Sequence, residues 1–210
     1  MPRRFRPAPI PRRRHFNHIW LPIPRRFHTA LHRRFQIVPA AGFLSLHTLT
    51  FRKLHKVDIG LEVTFVDTGG WDNHVNEGGA QGQLANLLRD LGQSLAAFVQ
   101  DIGDRMDDIV VVTMSEFGRT AHENGNRGTD HGHANCMFVL GGPVKGGKVY
   151  GKWPGLGPEQ LNEGRDLKLT TDFRSVLGEI ISRHLGTKEL EAVFPGFDND
   201  PRKFPNLLKV

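Results

Sequence analysis

Two short stretches of this chain gather acids and imidazoles. One is Asp67-Thr68-Gly69-Gly70-Trp71-Asp72-Asn73-His74; the other runs from Ser115-Glu116-Phe117-Gly118-Arg119-Thr120 to Gly128-Thr129-Asp130-His131-Gly132-His133. Carboxylate oxygen and imidazole nitrogen are the ligand types that hold zinc and similar divalent cations. Asp72 and His74 stand two residues apart between glycines and can grip one ion if the loop turns tightly. The competing reading is a helix-entry turn in which Asp72 bonds nearby amides. Asp67 is either a further ligand or a backbone cap. Asp130, His131 and His133 form the densest cluster, with His133 either a ligand or an outer partner that orients one. Glu116 either pairs with Arg119 or binds metal. In the second case the planar fork of Arg119 is free to hold a phosphate or sulfate group. The expected ligands are therefore Asp72, His74, Glu116, Asp130, His131 and His133, with Arg119 as the catalytic holder of an anion. Zinc is the first choice of ion, with manganese, magnesium or calcium as alternatives. The single cysteine, Cys136, excludes a cysteine-based zinc site and an internal disulfide.

Hydrophobic periodicity supplies the elements that position these loops. Leu61–Val66 alternates and is rich in β-branched residues, which predicts a strand. Residues Gly82–Ile102 carry one apolar stripe through Leu84, Leu87, Leu88, Leu91, Leu95, Phe98, Val99 and Ile102, a helix that Gly103 stops. Ile109–Val112 is a continuous apolar run of the kind buried on both faces of a parallel sheet. Strand, helix and strand in that order predict a right-handed crossover with both loops at one sheet edge, where open α/β sheets bind ligands. A third strand is expected at about Cys136–Leu140, a hairpin or surface loop over Gly141–Gly151, and a last helix over Asp172–Leu185, capped by Thr170 or Thr171. The fold class is α/β, with a mostly parallel sheet flanked by helices.

Charge divides the chain. Residues 1–57 hold 13 Lys and Arg and no acid; residues 58–210 hold 15 Lys and Arg against 22 acids, a net of −7. The net +6 of the whole chain thus belongs to an Arg/Pro/His-rich arm, residues 1–57, and not to the body, residues 58–210. Proline and unpaired positive charge predict disorder over residues 1–40. The arm reads as an unrelated extension, as a targeting segment or as a phosphate-neutralising nucleic-acid contact; the first is favoured over nucleic acid as a partner, because residue usage changes abruptly near Asp58, where the acids begin. No apolar run approaches the roughly 20 residues of a membrane helix.

Several motifs together resemble one family. They are Gly69-Gly70-Trp71-Asp72-Asn73-His74, Ser115–Thr120, Gly128–His133, Gly146-Gly147-Lys148-Val149-Tyr150-Gly151 with Trp153-Pro154-Gly155-Leu156, and Thr171-Asp172-Phe173-Arg174-Ser175-Val176. Over roughly residues 58–198 the chain resembles the bacterial domain-of-unknown-function family numbered 1501, itself similar to the alkaline phosphatase/sulfatase superfamily. The resemblance implies an alkaline phosphatase-like α/β domain, represented here by its C-terminal part. It implies divalent metals and hydrolysis of small anionic phosphate or sulfate esters. Glu116 looks like the acid after the strand before the metal loop, and His131 like a later histidine ligand. The superfamily's nucleophile, a Ser, Thr or modified Cys at a helix start, has no counterpart pattern in residues 1–57. The expected function is therefore a metal-dependent hydrolase-like domain, intact or inactive. The alternatives are an anion- or partner-binding module without chemistry, or nucleic-acid association through the arm. A sheet short of strands would expose apolar edges and favour self-association. Relatives often carry twin-arginine export signals, which Arg12-Arg13-Arg14-His15-Phe16 echoes. No proper apolar segment follows it, so the sequence does not fix the compartment, cytoplasmic being the reading in the absence of a clear signal.

Overall fold

The computed structural model describes residues 62–209 and the backbone of Phe35–Val38. The other expectations for the arm lie outside the described residues. Strand β1 (Phe35–Val38) pairs in parallel with β2 (Val63–Val66), in register from Phe35↔Val63 to Val38↔Val66. β1 falls inside the stretch expected to be disordered. That expectation came from the Arg clusters, whereas Phe35-Gln36-Ile37-Val38 carries no charge and is apolar enough to pair.

Helix α1 (Gln83–Ile102) lies where the apolar stripe places it and ends at Gly103, whose φ of 59° suits a residue without a side chain. Phe98 and Ile102 are buried with Met106 of the following 3-10 turn (Gly103–Asp108), and Ile109 and Val111 pack against them. Leu88 and Val99, at the margins of the stripe, remain exposed. Strand β3 (Val110–Val112) follows at once. Among the described residues it pairs with β6 (Val139–Gly141), antiparallel, and not with β2. The short strands β4 (Gly118–Arg119) and β5 (His131–Gly132) form a third two-stranded sheet. β6 begins three residues later than the expected third strand. Asn135 Oδ1 accepts the Cys136 amide, a local turn contact that competes with strand pairing. At Gly141 (φ 142°) a Cβ would lie 1.9 Å from Ile109 O, so only glycine lets the two strands close there.

The main core gathers Val144, Val176, Ile180, Leu207 and Leu208. Val144 belongs to the stretch read as a hairpin or surface loop, yet it is pinned inside. It forms a bridge with Leu208, Lys145 N donates to Leu207 O (2.7 Å), and Lys209 N donates to Pro143 O (2.7 Å). The C-terminal tail is thus a strap laid over helix α2 (Phe173–Arg183). Asp172 caps α2 by accepting the Arg174 amide (2.9 Å), in place of the expected Thr170 or Thr171. It sits immediately before the first helical residue, where a carboxylate reaches that amide. A short helix α3 (Leu190–Val193) and a 3-10 turn (Pro201–Lys203) complete the chain. Among the described residues no helix is long and apolar enough to cross a membrane.

The last turn carries a measurable acid. The Arg202 side chain, bonded through Nε and Nη2, holds the Asp200 carboxyl down at about 2. A depressed folded pKa stabilises the fold above the ordinary carboxylate value, and that contribution is lost as pH falls through the folded one. Carboxyl-carbon NMR should therefore show Asp200 titrating near 2 in the native protein. R202A should return the midpoint toward 3.8, the ordinary aspartate value.

Candidate metal centre

The loop after β2 is folded on itself by short-range contacts. Trp71 Nε1 donates to Thr68 Oγ1 (2.9 Å), the Asn73 amide donates to Trp71 O (3.0 Å), and the buried Asn73 side chain donates to Trp71 O and Gly70 O. This turn leaves Asp72 and His74 beside one another, with His74 Nε2 3.0 Å from Asp72 Oδ1. Backbone bonds then lay the loop against the β4–β5 hairpin. Asn76 N donates to Asn126 O, Glu77 N to Arg127 O and Thr129 N to Asn73 O. Gly128 is required at the crossing, because a Cβ there would lie 2.3 Å from the His74 carbonyl.

Three side chains converge as a result. Asp72 Oδ1 lies 2.8 Å from His131 Nε2 and 3.0 Å from His74 Nε2, and the two imidazole rings are 4.9 Å apart between centroids. One ligand atom from each of Asp72, His74 and His131 lies within 4.8 Å of the others. Asp130 stands behind His74, its Oδ1 3.2 Å from His74 Nδ1, and takes a second bond from Asn124 Nδ2 (3.0 Å). Asn124 also donates to His74 O and accepts the amides of Asn126 and Gly128, so it holds the loop together. The hydrogen bond from His131, together with the nearby His74 and Arg119, holds the Asp72 carboxyl below the usual carboxylate range. Asn124 and then His74 do the same for Asp130. Both acids are therefore anionic at neutral pH, the form a cation needs.

Of the residues expected to bind metal, Asp72, His74 and His131 come together. Asp130 joins through His74. Glu116 is exposed and stands outside the group, as does His133, whose amide donates to Asp166 Oδ2. Arg119 does not pair with Glu116. It donates to Thr129 O (2.8 Å), Trp71 O (2.7 Å) and Asp72 Oδ1 (2.9 Å).

Two supporting residues escape a reading of the sequence. Phe117 stacks on His131, 4.4 Å between centroids and 7° between planes. Asp166 is wholly buried under the hairpin, bridged to Thr120, with its Cβ so close that a side chain at Gly132 would meet it at 2.8 Å. Glu163-Gly164-Arg165-Asp166 reads as a polar turn, and nothing in it signals burial.

No curated protein and no solved structure matches the chain. Residues 45–193 match the profile of the family described as protein of unknown function (DUF1501), and the chain belongs to that family.

Proposed function

We propose that Asp72, His74 and His131 hold one divalent cation, zinc first among the choices, and that the centre serves hydrolysis of phosphate or sulfate esters. The supporting observation is the hydrogen-bonding of His74. A neutral imidazole has one N–H. If it donates from Nδ1 to Asp130, its bare Nε2 faces Asp72 Oδ1 at 3.0 Å. Two acceptors at that distance repel unless a proton or a metal cation lies between them, and the neutral imidazole therefore leaves a place for a metal. Asp130 then acts as the carboxylate that fixes the tautomer of a ligating histidine and raises its basicity. Two nitrogens and one oxygen suit zinc, and three protein ligands with a position left open are the pattern of catalytic zinc.

The three side chains are 42–57% exposed, so a small anionic ester can reach them. When bound, such an ion supplies Lewis acidity toward an ester oxygen and toward water. Asp72 and His131 would hold it between the two loops, and the Asp130–Asn124 pair would keep His74 from rotating. An alkaline phosphatase-like α/β organisation is part of the same reading, supported by the order of the motifs and by the succession β2, α1, β3. Among the described residues no hydroxyl or thiol is hydrogen-bonded to the side chains of Asp72, His74 or His131. That favours a second reading, in which the centre binds an anion through the metal without turnover.

Metal analysis and hydrolysis assays separate these outcomes. Zinc- or manganese-supplied protein should retain stoichiometric metal that H131A loses, and should turn over nitrophenyl phosphate or sulfate. Retained metal with anion binding but no turnover supports the second reading. A folded protein that takes up neither ion refutes both.

A further inference from the structure

We infer that Arg119 is the positioning residue of this centre, the tie that fixes the two ligand loops relative to each other. This rests on the metal reading above and assigns Arg119 a different task from holding a substrate anion. Three of the five N–H donors of a guanidinium are directed at protein oxygens. Nη1 reaches Thr129 O at 2.8 Å, two residues before His131. Nη2 reaches both Trp71 O at 2.7 Å, one residue before Asp72, and Asp72 Oδ1 at 2.9 Å. One planar group therefore bonds the backbone of both loops and the carboxylate of one ligand.

The second route runs through a ring. The Arg119 guanidinium lies over Phe117, 4.6 Å from its centroid, and the opposite partner of that ring is His131. Pairing of β4 with β5 sets Arg119 directly across from His131, so this stack follows from strand register. Arg119 is half-buried, its side chain 20% exposed, which shields these bonds from competing water. The rigid fork matters more than the charge. A lysine ammonium is a point charge on a flexible stem and cannot span both carbonyls and the carboxylate in one plane.

R119K tests this, with zinc affinity measured by competition against a chromogenic chelator and amide exchange measured on the metal-free protein. The expected result is a zinc Kd raised about 10–100-fold, the usual effect of losing a partner that orients ligands. Faster exchange at Asn73 and Thr129, whose amides lie at the loop crossing, should accompany it. F117L, which cuts only the ring route, should weaken zinc several-fold less than R119K. Wild-type affinity and wild-type exchange in R119K overturn the inference while leaving the metal centre standing. Absence of zinc binding in the unaltered protein overturns the metal centre and this inference with it. Should R119K fail to fold, R119Q decides in its place, and wild-type zinc affinity with wild-type exchange there refutes the tie.

Discussion

Replacing Asp72 by alanine should abolish zinc binding at this centre, raising Kd by well over the roughly 100-fold upper range seen for outer partners of metal ligands. The expectation follows from the geometry of one atom. Asp72 Oδ1 lies 2.8 Å from His131 Nε2, 2.9 Å from Arg119 Nη2 and 3.0 Å from His74 Nε2. Removing it takes away one of the three proposed ligands and the anionic charge that would offset the cation. It also takes away the acceptor that faces His131 Nε2. The asparagine variant sharpens the test, because it keeps the shape and one acceptor for Arg119 but carries no charge. D72N should leave the metal-free fold intact and still lose most of the zinc affinity. Asp72 is itself exposed, and Arg119 keeps its two carbonyl acceptors, so unfolding of the metal-free protein should change little in either variant. Chelator competition and the visible spectrum of a cobalt-substituted sample report the result. Zinc held by D72N as tightly as by the unaltered chain would show that this carboxylate is no ligand.

Residue type made the site legible, while partner identity stayed hidden. Asp72, His74, Asp130 and His131 stood out because acids and imidazoles crowd glycine-rich loops after apolar strands, and three of them meet. Sequence distance hid the rest. Arg119 suggested Glu116, three residues away, but its carboxylate partner is Asp72, 47 residues earlier. A local partner is the natural guess when only the chain order is known. Here the β4–β5 register turns Arg119 across the hairpin toward the first loop. Asp166 and Phe117 were missed for a related reason: a polar turn and a lone aromatic have no periodicity to betray what lies over them.

The elements show the same division. Helix α1 was legible almost to the residue, since a 20-residue apolar stripe repeats its signal five times over. Strands of two to four residues repeat nothing, so their boundaries shifted and their partners could not be read. Phe173, the first residue of α2, and Leu185, two residues past its end, are apolar yet exposed. The buried face holds the apolar Val176 and Ile180 and also takes in Gly178 and Glu179. The tail decides this, because Phe204 packs so closely on Gly178 that a Cβ there would approach its ring to 3.2 Å.

Glu179 is where that tail is fastened, and E179L should destabilise the protein by about 2–4 kcal/mol, the range for a buried acceptor whose donors lose their partner. The residue is wholly inaccessible to solvent. Its Oε1 accepts the Leu208 amide at 3.0 Å and the Arg183 guanidinium at 3.2 Å. Leu208 is itself 2% exposed, so its amide has no water to turn to once the carboxylate is gone. Arg183, partly exposed, can swing outward and keep its bond to Asn206 Oδ1 at 3.1 Å. The cost therefore falls on the strap and not on the ion pair. E179Q retains the acceptor for Leu208 and should lose less, even though Glu179 Oε2 has no partner to lend its replacement. Urea unfolding of the metal-free protein measures both. A leucine variant within about 0.5 kcal/mol of the unaltered chain would mean that the Leu208 amide finds another partner. Glu179 touches none of Asp72, His74 and His131, so zinc affinity of the folded E179L protein should stay unchanged. Stability and metal binding then fail separately, one through the strap over α2 and the other through the loops that Arg119 joins.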